Sequence, residues 1–92
     1  GLALEEVRDF LMAIEDLPSI QVKGLMTMAA LHSDAQASRP VFRKLAELRS
    51  TLLEDSFKNV QLDYLSMGMS QDFEVAIEEG ANIVRIGSAL FT

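Results

Sequence analysis

Residues 20–28, which read IQVKGLMTM, decide the fold of this chain. The stretch alternates at first and then becomes almost wholly apolar, as a strand does when both faces of a parallel sheet are covered. Amphipathic segments stand on either side of it. Because strands separated by helices are typical of α/β proteins, the stretch predicts a buried strand of a parallel sheet.

The two flanking segments have the helical spacing of three and four residues. Residues 4–17 predict a first helix, ended by Pro18. Its expected inward face comprises Leu4, Val7, Phe10, Leu11, Ile14 and Leu17. A second helix is expected from Pro40, whose missing N–H is tolerated in a first turn, to about Asp55.

The rest of the chain repeats the pattern. Residues 60–65 predict a second strand, and the loop SMGMS at residues 66–70 follows it. Ser70 is the expected N-cap of a third helix, which would turn Phe73, Ala76 and Ile77 inward and end at Gly80. Residues 83–86, IVRI, predict a third strand. The order is therefore α-β-α-β-α-β with parallel strands and right-handed crossovers. Three strands are few for such a fold, whose sheet needs both faces and both edges covered, so residues 1–92 are expected to form a single partial domain.

Composition excludes several classes of function. The chain has 92 residues, 49 % of them hydrophobic, and no apolar run of the roughly 18–20 residues that a membrane helix needs. The net charge of −6 disfavours nucleic acid and anionic membranes as partners. With no cysteine and one histidine, thiolate chemistry and a histidine-rich metal centre are excluded. The cytoplasm is the expected compartment by default.

The loop at residues 66–70 is the first candidate site, because ligands of parallel α/β folds bind at the carboxyl ends of strands. Ser66, Gly68 and Ser70 combine hydroxyls, a glycine turn and unpaired N–H groups of the next helix. Such a set binds anions. The alternative is a tight turn in which Ser70 is an ordinary N-cap.

Arg85, Gly87 and Ser88 form the second candidate. An arginine in an apolar strand needs a partner or a ligand, and the alternative is an ion pair with an acidic residue at the strand edge. In barrel enzymes the phosphate site is commonly built by the loops after the last two strands, and here both end in Gly/Ser clusters. The two candidate sites together favour a phosphorylated ligand.

His32 is interpreted as a loop residue, and Lys23 is interpreted as lying at the amino end of its strand, away from the ligand-binding edge of the sheet. The methionines at 26, 28, 67 and 69 are interpreted as core or ligand-wall residues.

Four segments closely resemble the pyridoxal phosphate homeostasis protein family (YggS/PROSC), which is related to the N-terminal barrel of alanine racemase. They read GLMTM at 24–28, RPVF at 39–42, LSMGMSQDFE at 65–74, with Ala76 and Ile77 after it, and VRIG at 84–87, with Gly80 and Ala81 before it. The resemblance covers essentially the whole chain, and the run LSMGMSQDFE is highly specific.

The resemblance implies the C-terminal portion of an alanine-racemase-like (β/α)8 TIM barrel that binds pyridoxal 5′-phosphate (PLP) as a non-catalytic carrier. It implies that Ser66 and the backbone at Gly87 and Ser88 hold the phosphate, and that Arg85 faces the pyridine nitrogen. Met67, Gly68 and Ser70 complete the implied cofactor site. An arginine at the ring nitrogen suits binding more than amino-acid chemistry.

The chain also departs from the family pattern. Family members are much longer, and the segment with the Schiff-base lysine is not found here, so the site is expected to be incomplete. Ala30, Ser88 and Thr92 stand where the family usually has proline, threonine and glycine. Two alternatives stay open: a PLP-dependent racemase- or decarboxylase-like enzyme, and a structural domain without a ligand. An open half-barrel face is expected to self-associate through Val22, Leu25, Met26, Leu62 and Val84.

Overall fold

The computed structural model describes residues 2–17, 19–29, 34–55, 57 and 60–87. Its elements in chain order are α1 (Leu4–Ile14), β1 (Val22–Met26), a 3-10 helix (Ala35–Ser38), α2 (Arg39–Asp55), β2 (Val60–Ser66) and α3 (Phe73–Glu78). The predicted alternation of helices and parallel strands is confirmed. Among the described residues, no helix has the length and apolarity that crossing a membrane requires. Pro18, predicted to end the first helix, lies outside the described residues.

Strands β1 and β2 pair in parallel, with Leu25 opposite Leu65 and Met26 opposite Ser66. The register shifts between Val22 and Gly24: Val22 lies opposite Val60, but Gly24 lies opposite Tyr64, so β2 has two extra residues here and forms a bulge. Leu62 lies inside this bulge with φ of 51°. Its carbonyl accepts a hydrogen bond from Arg49 Nε at 2.6 Å, so the bulged backbone still has a partner.

The expected third strand is only a short parallel contact. Ser66 and Ile83 form an isolated bridge, and Met67 N donates to Ile83 O at 3.1 Å. The Asn82 side chain adds two hydrogen bonds to the backbone of β2 before this bridge. Its Oδ1 accepts from Leu65 N and its Nδ2 donates to Asp63 O, both at 2.7 Å. The prediction of a regular strand at 83–86 was wrong, because beyond the bridge Arg85 N donates to Gly68 O and Met69 N donates to Asp72 Oδ1, so neither group continues the ladder.

Two clusters of buried side chains lie between the sheet and the helices. The first comprises Phe42, Leu45, Leu65, Met67, Val75 and Ala76. The second comprises Leu11, Leu52 and Leu62. Of the predicted inward face of α1, only Leu11 is fully buried, while Leu4 and Phe10 are exposed and Leu17 lies beyond the helix end. The prediction for the third helix was wrong at Ile77, which is 53 % exposed, because Val75 and Ala76 face the core instead.

The opposite face of the sheet is open among the described residues. Residues paired across neighbouring strands point to the same face, so Met26, Ser66 and Ile83 share one face. Met26 is 61 % exposed, and Tyr64 and Ile83 are also exposed. We call Met26, Tyr64 and Ile83 the open sheet face.

The membership predicted for this face was wrong at Val22, Leu25 and Leu62. Val22 packs against the second core cluster. Leu25 follows the opposite phase of the strand alternation and packs against both core clusters. Leu62 is completely buried, because the bulge turns its side chain towards α1 and α2.

Candidate functional site

Arg85 joins the carboxyl ends of both strands. Its Nη1 donates to Ser66 Oγ at 2.7 Å, and its Nη2 donates to the carbonyl of Thr27 at 2.9 Å. The backbone N–H of Arg85 donates to Gly68 O at 2.9 Å. Three segments far apart in sequence are therefore fixed around one half-buried guanidinium group, on the side of the sheet that carries Ser66.

One donor of this guanidinium group has no acceptor among the residues that the structure describes. Within the described part of the chain, Arg85 Nε is buried and has no hydrogen-bond partner. A buried donor without a partner costs about 1–3 kcal/mol, and each such group in a folded protein calls for an explanation. A ligand atom that accepts a hydrogen bond would satisfy Nε.

Ser70 and Gly87 form a second contact beside Arg85. The backbone N–H of Gly87 donates to Ser70 Oγ at 3.2 Å. Gly68 begins the turn that leads to Ser70 and has φ of 103°, a conformation that side chains other than glycine rarely adopt. The turn thus brings a hydroxyl and a backbone N–H together two residues after Arg85.

The structure corrects the predicted role of Ser70 as a helix N-cap. Helix α3 begins at Phe73, and Asp72 is its N-cap residue, without a side-chain cap hydrogen bond. Asp72 Oδ1 instead accepts from Met69 N at 2.8 Å. The carboxylate folds back over the preceding turn, which delays the helix by two residues and leaves Ser70 in the turn.

The other predicted site residues are placed as follows. Ser66, Gly68, Ser70, Arg85 and Gly87 are brought together by the contacts above. Met67 is fully buried in the first core cluster, so it supports the loop from behind and does not line the site. Ser88 and His32 lie outside the described residues.

Sequence reasoning missed Ser38, Asp72 and Asn82. Asn82 fixes β2 through its two side-chain hydrogen bonds and so positions the segment that carries Arg85. Ser38 Oγ donates to Asp72 Oδ2 at 3.0 Å, and both residues are buried. The only sequence signal for Asn82 was its place as a polar residue between Gly80 and the apolar run 83–86. No sequence signal pointed to Ser38.

An ion-pair network holds α3 against α2 behind the loop. Arg39 contacts Glu79 at 2.6 Å and Glu78 at 2.5 Å. Arg43 contacts Glu79 at 3.1 Å. Hydrogen bonds from Arg43 and Arg39 lower the pKa of the Glu79 carboxyl. These charges are satisfied within the protein and are separate from Arg85.

A mostly apolar cavity of the described residues does not coincide with the candidate site. It has a volume of about 510 Å³ and lies between α1, β1 and the first turns of α2. Its lining is mostly apolar, and neither Ser66 nor Arg85 contributes to it. No cluster of potential metal ligands occurs in the ranges that the structure describes. The unsatisfied buried donor of the described residues therefore lies at Arg85, outside this cavity.

Residues 1–92 match the family described as alanine racemase, N-terminal domain. The pyridoxal phosphate homeostasis protein of Aquifex aeolicus is 50 % identical over 91 residues, which are 99 % of this chain and 39 % of that protein. The protein of the same name from Escherichia coli is 35 % identical, over 99 % of this chain and 38 % of that protein. The chain thus spans about two fifths of the length of these relatives.

Solved structures of related proteins also match this chain. PipY of Synechococcus elongatus, solved with PLP bound, matches with a TM-score of 0.86 and 32 % identity, over 100 % of this chain and 43 % of that one. PipY without PLP gives a TM-score of 0.87 at the same identity, over 100 % of this chain and 42 % of that one. The fold around the Arg85 contacts is therefore that of a known domain, and the chain belongs to the alanine racemase N-terminal domain family.

Proposed function

We propose that this chain carries the part of a PLP site that binds the phosphate and the ring nitrogen, in a protein that carries the cofactor without turning it over. Among the described residues, the buried Nε of Arg85 has no hydrogen-bond partner, and the proposal depends on this observation. An N–H donor needs an acceptor, and an unprotonated pyridine nitrogen is one. The solved complex of PipY with PLP supports the choice of this ligand.

The residues present fit the other end of the cofactor as well. Ser70 Oγ and the N–H of Gly87 lie 3.2 Å apart, and hydroxyls with backbone N–H groups in a glycine-containing turn are common phosphate ligands. Ser66 Oγ accepts from Arg85, so the proton of its own hydroxyl group can be donated to the same anion. We assign the phosphate to Ser66, Ser70 and the backbone at Gly87 and Ser88.

A binding role is favoured over catalysis by the groups around Arg85. When bound, PLP supplies an aldehyde for reaction with amines and a ring that withdraws electrons. Arg85 holds that ring with a positive charge, which disfavours protonation of the pyridine nitrogen and weakens electron withdrawal. Its described partners are a hydroxyl and two carbonyl groups, none of which transfers protons near neutral pH. The names of the curated relatives agree with such a role.

Titration calorimetry with PLP, pyridoxal and inorganic phosphate tests the proposal. We expect PLP to bind at least about tenfold more tightly than pyridoxal, because charge-assisted hydrogen bonds to the phosphate are lost in pyridoxal. The Arg85→Gln variant should bind PLP at least about tenfold more weakly, since a hydrogen bond to a charged group contributes about 1.5–3 kcal/mol. Circular dichroism of the variant establishes that it is folded.

Arg8→Gln is the matched control. Arg8 is an exposed arginine whose Nε pairs with Asp55 at 3.0 Å on the helix side of the sheet, and exposed pairs contribute little. Its loss should leave the affinity for PLP unchanged. Equal affinities for PLP and pyridoxal, or an Arg85→Gln variant that binds like the Arg8→Gln variant, would contradict the proposal. Racemisation of an amino acid by the PLP-loaded chain would contradict the non-catalytic role.

We also propose that two copies of the chain associate through the open sheet face. Met26, Tyr64 and Ile83 are all more than two fifths exposed and lie on one side of the sheet. Burial of apolar surface contributes about 25 cal/mol per Å², so covering these side chains with a second copy would stabilise the fold.

A further inference from the structure

The only polar or charged residues that are buried among those described are Ser38 and Asp72. Ser38 ends the 3-10 helix and is 1 % exposed, and Asp72 precedes α3 and is 5 % exposed. They are 34 residues apart in sequence, and Ser38 Oγ donates to Asp72 Oδ2 at 3.0 Å. Buried polar groups are retained where their hydrogen bonds are satisfied, so the pair has a structural or functional task.

The Asp72 carboxylate connects Ser38 to the turn that carries Ser70. Its Oδ1 accepts from Met69 N at 2.8 Å, and its backbone N–H donates to Met69 O at 3.1 Å. Met69 is thereby held at both of its peptide groups. On the far side of the turn, Ser70 Oγ accepts from Gly87 N.

Helix capping does not explain these contacts. A capping carboxylate accepts from the N–H groups of the second or third helical residue, whereas Asp72 makes no side-chain cap hydrogen bond to α3. Both of its oxygens are used elsewhere, one by Met69 and one by Ser38. The carboxylate acts on the residues before it, not on the helix after it.

Ser38 is required for this arrangement on electrostatic grounds. A buried carboxylate oxygen without a donor is strongly disfavoured, and Ser38 supplies the donor for Oδ2. Without the hydroxyl group, the carboxylate is better solvated if it turns away from the core. That rotation breaks the hydrogen bond from Met69 N and releases the turn.

We propose that Ser38 and Asp72 are positioning residues that hold the turn 68–71 so that Ser70 stays beside Gly87 and receives the phosphate of the ligand. The inference rests on the proposed function, since it assigns a geometric cause to phosphate recognition. Neither residue touches the ligand. Their effect is on the affinity for the phosphate group and not on the affinity for the ring.

The ratio of PLP affinity to pyridoxal affinity is the measurement that isolates this effect. A role in global stability alone does not move the ratio, because the folded fraction scales both affinities equally. We expect Ser38→Ala to lower the ratio about tenfold and Asp72→Ala to lower it by at least as much, the loss of one charge-assisted hydrogen bond. Asp72→Asn should keep the ratio within about threefold, because its amide oxygen still accepts from Met69 N.

Thr51→Val is the matched control for the loss of a hydroxyl group. Thr51 Oγ1 donates to Glu47 O at 3.0 Å on the exposed face of α2, remote from the turn, and the ratio should not change. Hydrogen exchange provides a second measurement on the folded population. Ser38→Ala should accelerate exchange of the Met69 amide while the Leu65 amide, held by Asn82 Oδ1, keeps its protection.

The outcomes separate this inference from the proposed function. If the unmodified chain binds PLP and pyridoxal equally, the proposed function fails and this inference fails with it. If the chain prefers PLP but Ser38→Ala retains that ratio, only the positioning role is overturned. If Ser38→Ala does not fold, Asp72→Asn and Asp72→Ala provide the test. Equal ratios of PLP affinity to pyridoxal affinity in these two variants would overturn the positioning role, because the oxygen that still accepts from Met69 N in Asp72→Asn would then have no effect.

Discussion

Replacing Gly68 by alanine tests whether the turn beside Arg85 depends on a glycine. Gly68 has φ of 103°, and a Cβ atom there would lie 2.6 Å from Ala76 Cβ and 3.2 Å from Phe73 Cα. Backbone strain of this kind costs about 1–3 kcal/mol, and overpacking of a filled core costs about 1–3 kcal/mol more. We therefore expect Gly68→Ala to lower the free energy of unfolding by about 2–6 kcal/mol.

Gly80→Ala separates the two contributions. Gly80 has a similar φ of 111°, but the nearest atom to an added Cβ is Leu65 Cδ2 at 3.9 Å, an ordinary contact. This variant should lose only the strain contribution, about 1–3 kcal/mol. In Gly87→Ala, no atom of the described residues lies within 4 Å of the added Cβ, and the variant should stay within about 0.5 kcal/mol of the unmodified chain.

Urea unfolding followed by far-ultraviolet circular dichroism measures all three variants, because the unfolding free energy falls linearly with denaturant. The expected order of stability is Gly87→Ala, then Gly80→Ala, then Gly68→Ala. Equal stability of Gly68→Ala and Gly80→Ala would refute the close packing of the turn on α3. The reasoning would also fail if Gly87→Ala were as damaging as Gly80→Ala.

Three further predictions concern charge, covalent chemistry and assembly. Because Arg43 and Arg39 lower the pKa of Glu79, this carboxylate stabilises the fold above its unfolded pKa and loses that contribution as the pH falls through the lowered pKa. In urea titrations, Glu79→Gln should therefore be less stable than the unmodified chain at pH 7 and equally stable at low pH. A stability difference that stays constant with pH would contradict this. Borohydride reduction with PLP should give no dominant single-site adduct by intact-mass spectrometry. The reason is that Lys23 is exposed at the amino end of β1, about 13 Å from Thr27 at the carboxyl end. A dominant adduct on Lys23 would disprove the assigned strand direction. Sedimentation at micromolar concentration should show a dimer that Met26→Glu weakens, and a stable, cooperative monomer would rule out association through the open sheet face.

The local pattern of the sequence determined the order of the elements and the end of the sheet at which to look. Apolar runs and helical spacing depend on neighbouring residues, so β1, α2 and β2 could be predicted within two residues or so at most ends. The glycines and hydroxyls that follow the strands pointed to Ser66, Ser70 and Gly87, and the family resemblance supplied PLP as the ligand.

Tertiary structure alone decided which of these groups meet. Arg85 reaches the carbonyl of Thr27 across 58 residues of chain, and Ser38 reaches Asp72 across 34. The bulge at Leu62 reverses the phase of β2, and the Asn82 side chain bonds to the backbone of β2 at Leu65 and Asp63. No local pattern predicts such contacts, because each is favourable only after two distant segments have packed and removed water from the groups that then need a partner.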